Sequence, residues 1–198
     1  MKRRLFFDVS TELMYIGYAR GEFIVDFSTR IAQRDHAKYL VDRIDQVLKR
    51  NDITLNQIDE LIIGVGPGSY TGLRIAVMVG KMLAYTKNIP LRTVSSLYFL
   101  TSGYDPIVAP MMDARRGHVY AMVHHRGEVL LQEGYYLLKD LSKHESYRKA
   151  ETIMINHRNY LVSVKRIIEQ SILVEDVHSL VPNYLRKTEA ENKHDQKS

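Results

Sequence analysis

The run GVGPGSYTGLR, from Gly64 to Arg74, combines the strongest turn signals of the chain within a few residues. Apolar residues 61–63 precede it and are typical of a short buried strand. Its first glycines and Pro67 predict an abrupt loop, because glycine tolerates positive φ and close approach whereas proline fixes its own φ. A long apolar helix is expected to follow, with Ser69 and Thr71 as candidate caps. Since such a loop can direct backbone N–H groups at an anion, the run is a candidate phosphate site.

Familiar phosphate-binding motifs do not match this loop. A P-loop requires Gly-Lys-Ser/Thr, but Gly80-Lys81 is followed by methionine. The dinucleotide fingerprint requires a third glycine where this chain has Ser69 or Thr71. A structural alternative therefore stays beside the phosphate hypothesis, and we favour it. In that alternative the glycines only turn the chain tightly, and Gly72 and Gly80 let the helix approach its sheet.

Composition narrows the classes of protein that the chain can represent. Its 198 residues are 45% hydrophobic, which is ample for the core of one domain or two small ones. The absence of cysteine excludes disulfides, thiol chemistry and Cys-ligated metal centres. Asp8 interrupts the N-terminal apolar run too early for a signal peptide, and no stretch approaches the roughly 20 apolar residues of a membrane span. We therefore expect a cytoplasmic protein.

The net charge of +5 is a weak indication of nucleic-acid binding. Lysine and arginine occur only in short clusters such as residues 2–4 and 165–166, which favours an ordinary solvated surface. The 13 tyrosines are dispersed, so no aromatic, basic face for a general RNA-binding module is evident.

The order of the predicted elements defines the fold class. Three strands are expected over 3–9, 13–19 and 23–29, followed by a helix over 36–50 that Asp35 caps. A strand over 61–65 and the helix after the glycine loop complete the first half. Three hairpin strands followed by helix-linked strands predict a mixed α/β sheet with helices on its faces. This order resembles an RNase-H-like half of the actin/Hsp70/sugar-kinase superfamily.

The second half is predicted to be a reduced copy of the first. Its expected elements are strands over 107–112, 119–125 and 129–138, a short strand over 152–155 and a helix over 157–170. The expected subdomains are therefore residues 1–101 and 102–186. A flexible tail is expected over residues 187–198, which lack apolar residues beyond Ala190.

Several further segments carry a family resemblance over nearly the whole chain. They are Phe7–Thr11 (FDVST), Gly66–Arg74 (GPGSYTGLR), Ile89–Leu97 (IPLRTVSSL), Met112–Tyr120 (MDARRGHVY) and Pro182–Arg186 (PNYLR). Together they resemble the TsaB (YeaZ) family, whose signature is GPGSFTGxR. The departures, Tyr70 for phenylalanine and His118 for glutamate, are mild.

This resemblance implies a role in which the chain itself has no catalytic residue and no cofactor. TsaB relatives are non-catalytic partners of TsaD in transferring threonylcarbamoyl to the adenosine next to the anticodon of tRNAs that read codons beginning with A. TsaE would join through the TsaD–TsaB complex, and tRNA would be contacted only within that complex. The isolated chain would be a homodimer.

A small ATP-dependent ATPase or kinase is the alternative. In the superfamily, an acidic residue at the end of the first strand helps to position magnesium and phosphate, and Asp113 would be the counterpart of Asp8 in the second half. The possible vestigial phosphate site comprises Asp8, Ser10, Gly66, Gly68, Ser69, Thr71, Gly72 and Asp113. Asp8 and Ser10 could instead cap the turn between the first two strands.

Metal and hydrolase chemistry find little support in the sequence. TsaD relatives hold a metal through His-x-x-x-His, but Leu40 stands four residues after His36, so we predict no metal. His36 is expected to be a polar surface residue at the start of its helix. Ser69 does not lie in a Gly-x-Ser-x-Gly elbow, because Thr71 occupies the position of the second glycine.

The helix after the glycine loop is apolar on two faces. Between Leu73 and Tyr85 only Arg74 and Lys81 are charged, so one face is expected on the sheet and the other on helix 36–50 or on another protein. The resemblance places a TsaD and homodimer interface on these two helices. The expected contact residues are Ala37, Leu40, Val41, Ile44, Ile75, Met78, Val79 and Met82. On this view Val79→Glu abolishes pairing and leaves the monomer folded.

Overall fold

Two β-sheets form the frame of the protein in a computed structural model that describes residues 1–31 and 35–185. The predicted tail 187–198 and Arg186 therefore lie outside the described residues. The first sheet contains β1 (Arg3–Asp8), β2 (Leu13–Arg20), β3 (Phe23–Ile31), β4 (Glu60–Gly64), β5 (Leu91–Val94) and β10 (Ile172–Leu173). The second contains β6 (Val108–Asp113), β7 (His118–His125), β8 (Glu128–Leu137) and β9 (Glu151–Met154).

Within residues 1–31 and 35–185, six helices and a short 3₁₀ turn connect these strands. The helices are α1 (His36–Arg50), α2 (Tyr70–Lys87), α3 (Ser96–Thr101), α4 (Leu138–Leu141), α5 (Glu145–Arg148) and α6 (Val164–Gln170), and the turn is Leu55–Gln57. None of the described helices combines the length and the apolar composition that crossing a bilayer requires.

The two sheets share one connectivity. In the first, β1, β2 and β3 are antiparallel, β4 runs parallel to β1, and β5 runs parallel to β4. In the second, β6, β7 and β8 are antiparallel and β9 runs parallel to β6. Only the short helices α4 and α5 lie between β8 and β9, where the first half has the fifteen-residue helix α1. The predicted mixed α/β fold with a reduced second half is confirmed.

The central strands β1, β2 and β4 of the first sheet are buried on both faces, as the unbroken apolar runs of β1 and β4 require. Leu5, Phe7 and Ile63 point into a cluster that α1 and α2 cover. Phe6 and Ile62 point to the opposite side, where the cluster contains residues of α3, α6 and the second sheet. This arrangement places α1 and α2 on the outer face of the first sheet, away from the second sheet.

Two local predictions are corrected by the structure. The helix predicted over 157–170 forms only over Val164–Gln170, because the amide of Leu161 donates to Leu100 O (2.8 Å) and its carbonyl accepts from Gly103 N (2.8 Å). Asp35 does precede α1, but its carboxylate binds Arg30 Nη1 (2.6 Å) and makes no cap hydrogen bond to the helix.

The chain returns to the first sheet after α6. Strand β10 pairs antiparallel with β5. Residues 174–185, here called the strap, then run along α2, and Val174, Val177 and Leu180 pack against the core beneath it. The division between residues 101 and 102 stays a prediction, but residues 172–185 belong structurally with the first sheet.

Candidate partner-binding face and interdomain cleft

The glycine loop between β4 and α2 is shaped by its contact with the turn that follows β1. A Cβ added to Gly64 would lie 1.8 Å from Asp8 Oδ2, and one added to Gly72 would lie 2.0 Å from Val9 O. A Cβ on Gly68 would lie 2.4 Å from Ser10 O. Since real Cβ atoms cannot approach so closely, these glycines are needed for tight packing of the loop against residues 8–10.

The N–H groups of the loop are largely engaged within the protein. Gly66 N donates to Ser96 Oγ (2.9 Å), Ser69 N donates to Ser10 O (2.6 Å), and Gly72 N donates to Ser69 Oγ (3.3 Å). The predicted cap role of Ser69 is thus confirmed. Thr71 lies inside the first turn of α2. These bonds agree with the structural alternative for the loop, because an anion would have to compete for the same donors.

Asp8 is buried and faces the core. Its Oδ1 accepts hydrogen bonds from the amide (2.8 Å) and hydroxyl (2.6 Å) of Ser10, whereas Oδ2 lies against Gly64 with no hydrogen-bond partner among the described residues. Burial raises the pKa of Asp8, although the hydrogen bonds from Ser10 oppose that shift. Asp8 therefore caps the turn between β1 and β2, as the structural alternative predicted.

A cleft of about 680 Å³ separates the two halves on the side of the glycine loop. Its lining includes Ser10, Gly68, Ser69, Thr71, Asp113 and Arg115, but not Asp8. Asp113 is exposed, and its Oδ1 accepts from Arg115 N (2.9 Å), which repeats the turn geometry of Asp8. Asp113 thus lines the cleft whereas Asp8 does not.

His36 begins α1, as predicted, but it is not a surface residue. The side chain is buried, with Nε2 2.8 Å from Thr11 O and Nδ1 without a partner among the described residues. Within residues 1–31 and 35–185, no three His, Asp or Glu side chains lie close enough together to hold a metal ion. That the protein uses no metal stays a prediction.

The proposed contact residues divide into two sets. Leu40, Ile44, Ile75 and Val79 are buried in the same core cluster, so they join α1 and α2 to each other and to the sheet. Ala37, Val41, Met78 and Met82 are exposed, with exposed fractions of 62% for Met78 and 45% for Met82. These four side chains are called the helical face below. Because Val79 lies inside the core, we expect Val79→Glu to disrupt the folded monomer and not to leave it intact.

The strap borders the helical face and is held firmly on α2. Lys81 Nζ donates to the carbonyls of His178 (2.7 Å) and Leu180 (3.1 Å). Arg74 Nε donates to the hydroxyl of Tyr184 (3.2 Å), whose ring stacks on Tyr70 at a centroid distance of 4.9 Å. The strap thereby covers one flank of α2 and leaves Met78 and Met82 exposed.

Sequence reasoning missed this strap. Pro182 and Tyr184 belong to the PNYLR motif, but the motif alone did not predict where they lie in the structure. The spacing of Val174, Val177 and Leu180, one apolar residue in three, was the available signal that this segment lies along a surface. It could not indicate which helix the segment covers.

Comparison with known proteins places the chain among proteins of tRNA modification. The family model described as "TsaD: tRNA N6-adenosine threonylcarbamoyltransferase" matches residues 28–155. The chain is 27% identical over 219 residues to the tRNA threonylcarbamoyladenosine biosynthesis protein TsaB of Bacillus subtilis, covering 94% of this chain and 95% of that protein. It is 33% identical to the Haemophilus influenzae protein of the same name over 57% of this chain and 50% of the relative. YeaZ from Pseudomonas aeruginosa superposes with a TM-score of 0.71 at 20% identity, over 93% of this chain and 100% of that structure.

Proposed function

We propose that the chain is a non-catalytic partner of TsaD. The premise is that it belongs to the family that the TsaD model describes and, within that family, to the TsaB (YeaZ) group. The process is the biosynthesis of threonylcarbamoyladenosine in tRNA, for which its relatives are named. In this proposal TsaD transfers the threonylcarbamoyl group in a cytoplasmic complex. TsaE and tRNA join through that complex.

The observation that carries the proposal is the exposure of the helical face. Met78, Met82 and Val41 form apolar surface on two helices that pack on the outer side of the first sheet. Apolar surface of this kind on adjacent elements is typical of a protein interface. Methionine side chains adapt to different partners, so the same face suits TsaD in the complex and a second copy when the chain is alone.

The non-catalytic part of the proposal is supported by the geometry of the cleft. Asp8 is buried within its own turn, and the N–H groups of Gly66, Ser69 and Gly72 have partners inside the protein. The residues that would hold magnesium and phosphate in an active relative are therefore engaged in structure. We propose that the phosphate site is vestigial.

A reconstituted modification assay tests this function. Purified chain, its cognate TsaD and TsaE are combined with tRNA and the substrates of the reaction, and each protein is omitted in turn. We expect threonylcarbamoyladenosine to form only when all three are present, and the chain alone to show no ATP turnover. Full activity in the absence of the chain would contradict the proposal, and ATP turnover by the chain that is lost in Asp8→Ala would favour the ATPase alternative.

A further inference from the structure

A half-buried carboxylate of the second sheet, Glu133, holds the end of the strap. Glu133 lies on β8, where its Oε1 accepts from Asn183 Nδ2 (2.7 Å) and its Oε2 accepts from the hydroxyl of Ser95. Ser95 is the N-cap of α3, between the two sheets. One side chain thus joins the second sheet, the start of α3 and the strap.

Asn183 is also fixed from the first sheet. Its backbone amide donates to Val65 O (2.8 Å), directly after β4. Its carbonyl oxygen lies 2.7 Å from the position that a Cβ on Gly66 would occupy. The neighbouring residue in the chain is Tyr184, which stacks on Tyr70 of α2. The position of Asn183 therefore sets the position of the residues on either side of it.

Those neighbouring residues form one wall of a groove on α2. The groove has a volume of about 400 Å³ and is lined by Val77 and Met78 on the helix and by Val181, Pro182 and Tyr184 on the strap. Val181 is 70% exposed, and Met78, on the opposite wall, belongs to the helical face. A displacement of Asn183 would move this wall and change the shape of the surface beside Met78.

We propose that Glu133 is a positioning residue for partner binding, acting through Asn183 on the strap wall beside the helical face. The inference rests on the proposed function, because it assumes that this face binds TsaD. It adds that the second sheet, which lies on the other side of the molecule from α1 and α2, contributes to affinity without touching the partner. Burial raises the pKa of Glu133, against the hydrogen bonds from Ser95 and Asn183, which is consistent with a carboxyl enclosed by its partners.

The hydrogen bond between Glu133 and Asn183 can be tested by exchanging its donor and acceptor through substitution. Asn183→Asp replaces the amide donor with a second acceptor opposite Glu133 and should release the strap. Glu133→Gln alone keeps an acceptor for Asn183 and reverses the bond to Ser95, whose hydroxyl can accept from the new amide. Because the contact with Asn183 is kept, this variant should bind like the wild type. The double variant Glu133→Gln/Asn183→Asp restores one donor and one acceptor and should recover binding.

The measurement is the Kd for TsaD by titration calorimetry, together with hydrogen exchange of the strap amides. We expect Asn183→Asp to weaken binding by about tenfold or more and to accelerate exchange at residues 183–185, and the double variant to reverse both effects. Glu128→Ala, an exposed carboxylate on the same strand, is the matched control and should change neither.

The possible outcomes separate the two proposals. A wild-type chain that does not bind TsaD refutes the proposed function, and the inference with it. A wild-type chain that binds, together with an Asn183→Asp variant of unchanged Kd, refutes the inference alone. A double variant that remains as weak as Asn183→Asp also refutes it, because general damage to the strap would then explain the loss.

Discussion

At the scale of single residues, several side chains of a type often found in active sites make hydrogen bonds inside the protein. Asp8 holds the amide and hydroxyl of Ser10, and the hydroxyl of Ser69 accepts from Gly72 N. His124, on β7, is fully buried, with Nε2 2.9 Å from Thr101 Oγ1 and its ring against Tyr98. Each of these groups takes part in local packing and hydrogen bonding, whereas Asp8 Oδ2 and His124 Nδ1 have no hydrogen-bond partner among the described residues.

Substitution of Asp8 distinguishes a structural acid from a catalytic one. Asp8→Asn keeps the acceptor for Ser10 and removes a charge that burial disfavours, so the free energy of unfolding at pH 7 should equal or exceed that of the wild type. Asp8→Ala removes the acceptor and should cost about 1–3 kcal/mol, because the donors of Ser10 remain buried. Denaturant unfolding measures both, and equal destabilisation by the two variants would contradict this role.

The buried His124 predicts a specific pH dependence of stability. Burial, with smaller contributions from the charges of Arg166 and His125, lowers the pKa of His124 to about 4. Below a pH of roughly 6.5, His124 is protonated in the unfolded chain but stays neutral in the folded chain. Its contribution to the free energy of unfolding is therefore complete above that pH and is lost as the pH falls towards 4. The loss should be on the order of 3 kcal/mol.

Comparison of variants isolates this contribution from the other titrating groups. The pH profile of His124→Gln should lack the loss, whereas His125→Gln, an exchange of the neighbouring residue, should retain it. Unfolding free energies between pH 4 and pH 8 provide the measurement. Parallel profiles for the wild type and His124→Gln would overturn the assignment.

At the scale of elements, the glycines of α2 have unequal roles. A Cβ on Gly72 would lie 2.0 Å from the backbone oxygen Val9 O, whereas a Cβ on Gly80 would lie 2.8 Å from Ile63 Cδ1, the end of a flexible side chain. Alanine is otherwise favoured over glycine inside a helix by about 1 kcal/mol. The backbone contact cannot be relieved without moving the helix away from β1.

We therefore expect Gly72→Ala to destabilise the protein by about 2 kcal/mol or more and Gly80→Ala to cost clearly less. Thermal unfolding monitored by circular dichroism compares the two variants directly. If Gly72→Ala is as stable as the wild type, the close approach of α2 to residue 9 is not a property of the protein in solution.

Elements with strong local patterns could be predicted from the sequence. The three hairpin strands, α1 and the loop-helix unit after β4 have clear periodicity or turn residues. Strand β5 and helix α3 had no such signal, because Leu91–Val94 is short and half of it is polar. Residues 160–163 looked helical because their apolar spacing fits a helix, but the backbone groups of Leu161 bond to Leu100 in α3 and to Gly103. Such long-range bonds leave no trace in a local pattern.

The sequence predicted which helices form the candidate site, but not which of their residues are exposed. Apolar residues on both faces of α2 indicated two packing surfaces, but the sequence could not divide Val79, which is buried, from Met78, which is exposed. That division depends on where α1 and the strap lie. The roles of Glu133 and Asn183 were invisible for the same reason, since fifty residues separate them in the chain.

At the scale of the whole molecule, the architecture separates two surfaces. The cleft between the halves is lined by the glycine loop and by residues of the second sheet, whereas the helices on the outer face of the first sheet expose Val41, Met78 and Met82. The strap connects these regions, because Asn183 contacts Val65, next to the glycine loop, while Tyr184 contacts α2. This organisation suits a protein that acts by binding another.

The most direct test of the central claim is the affinity for TsaD of three charge substitutions, measured by titration calorimetry beside circular dichroism spectra. Met78→Glu should keep the native spectrum and weaken binding by about 30-fold or more, as expected for a residue at the centre of an interface. Met154→Glu, the same exchange at an exposed methionine of β9, should change neither, and Val79→Glu should lose the native spectrum. A folded Met78→Glu variant that binds TsaD as tightly as the wild type would contradict the account.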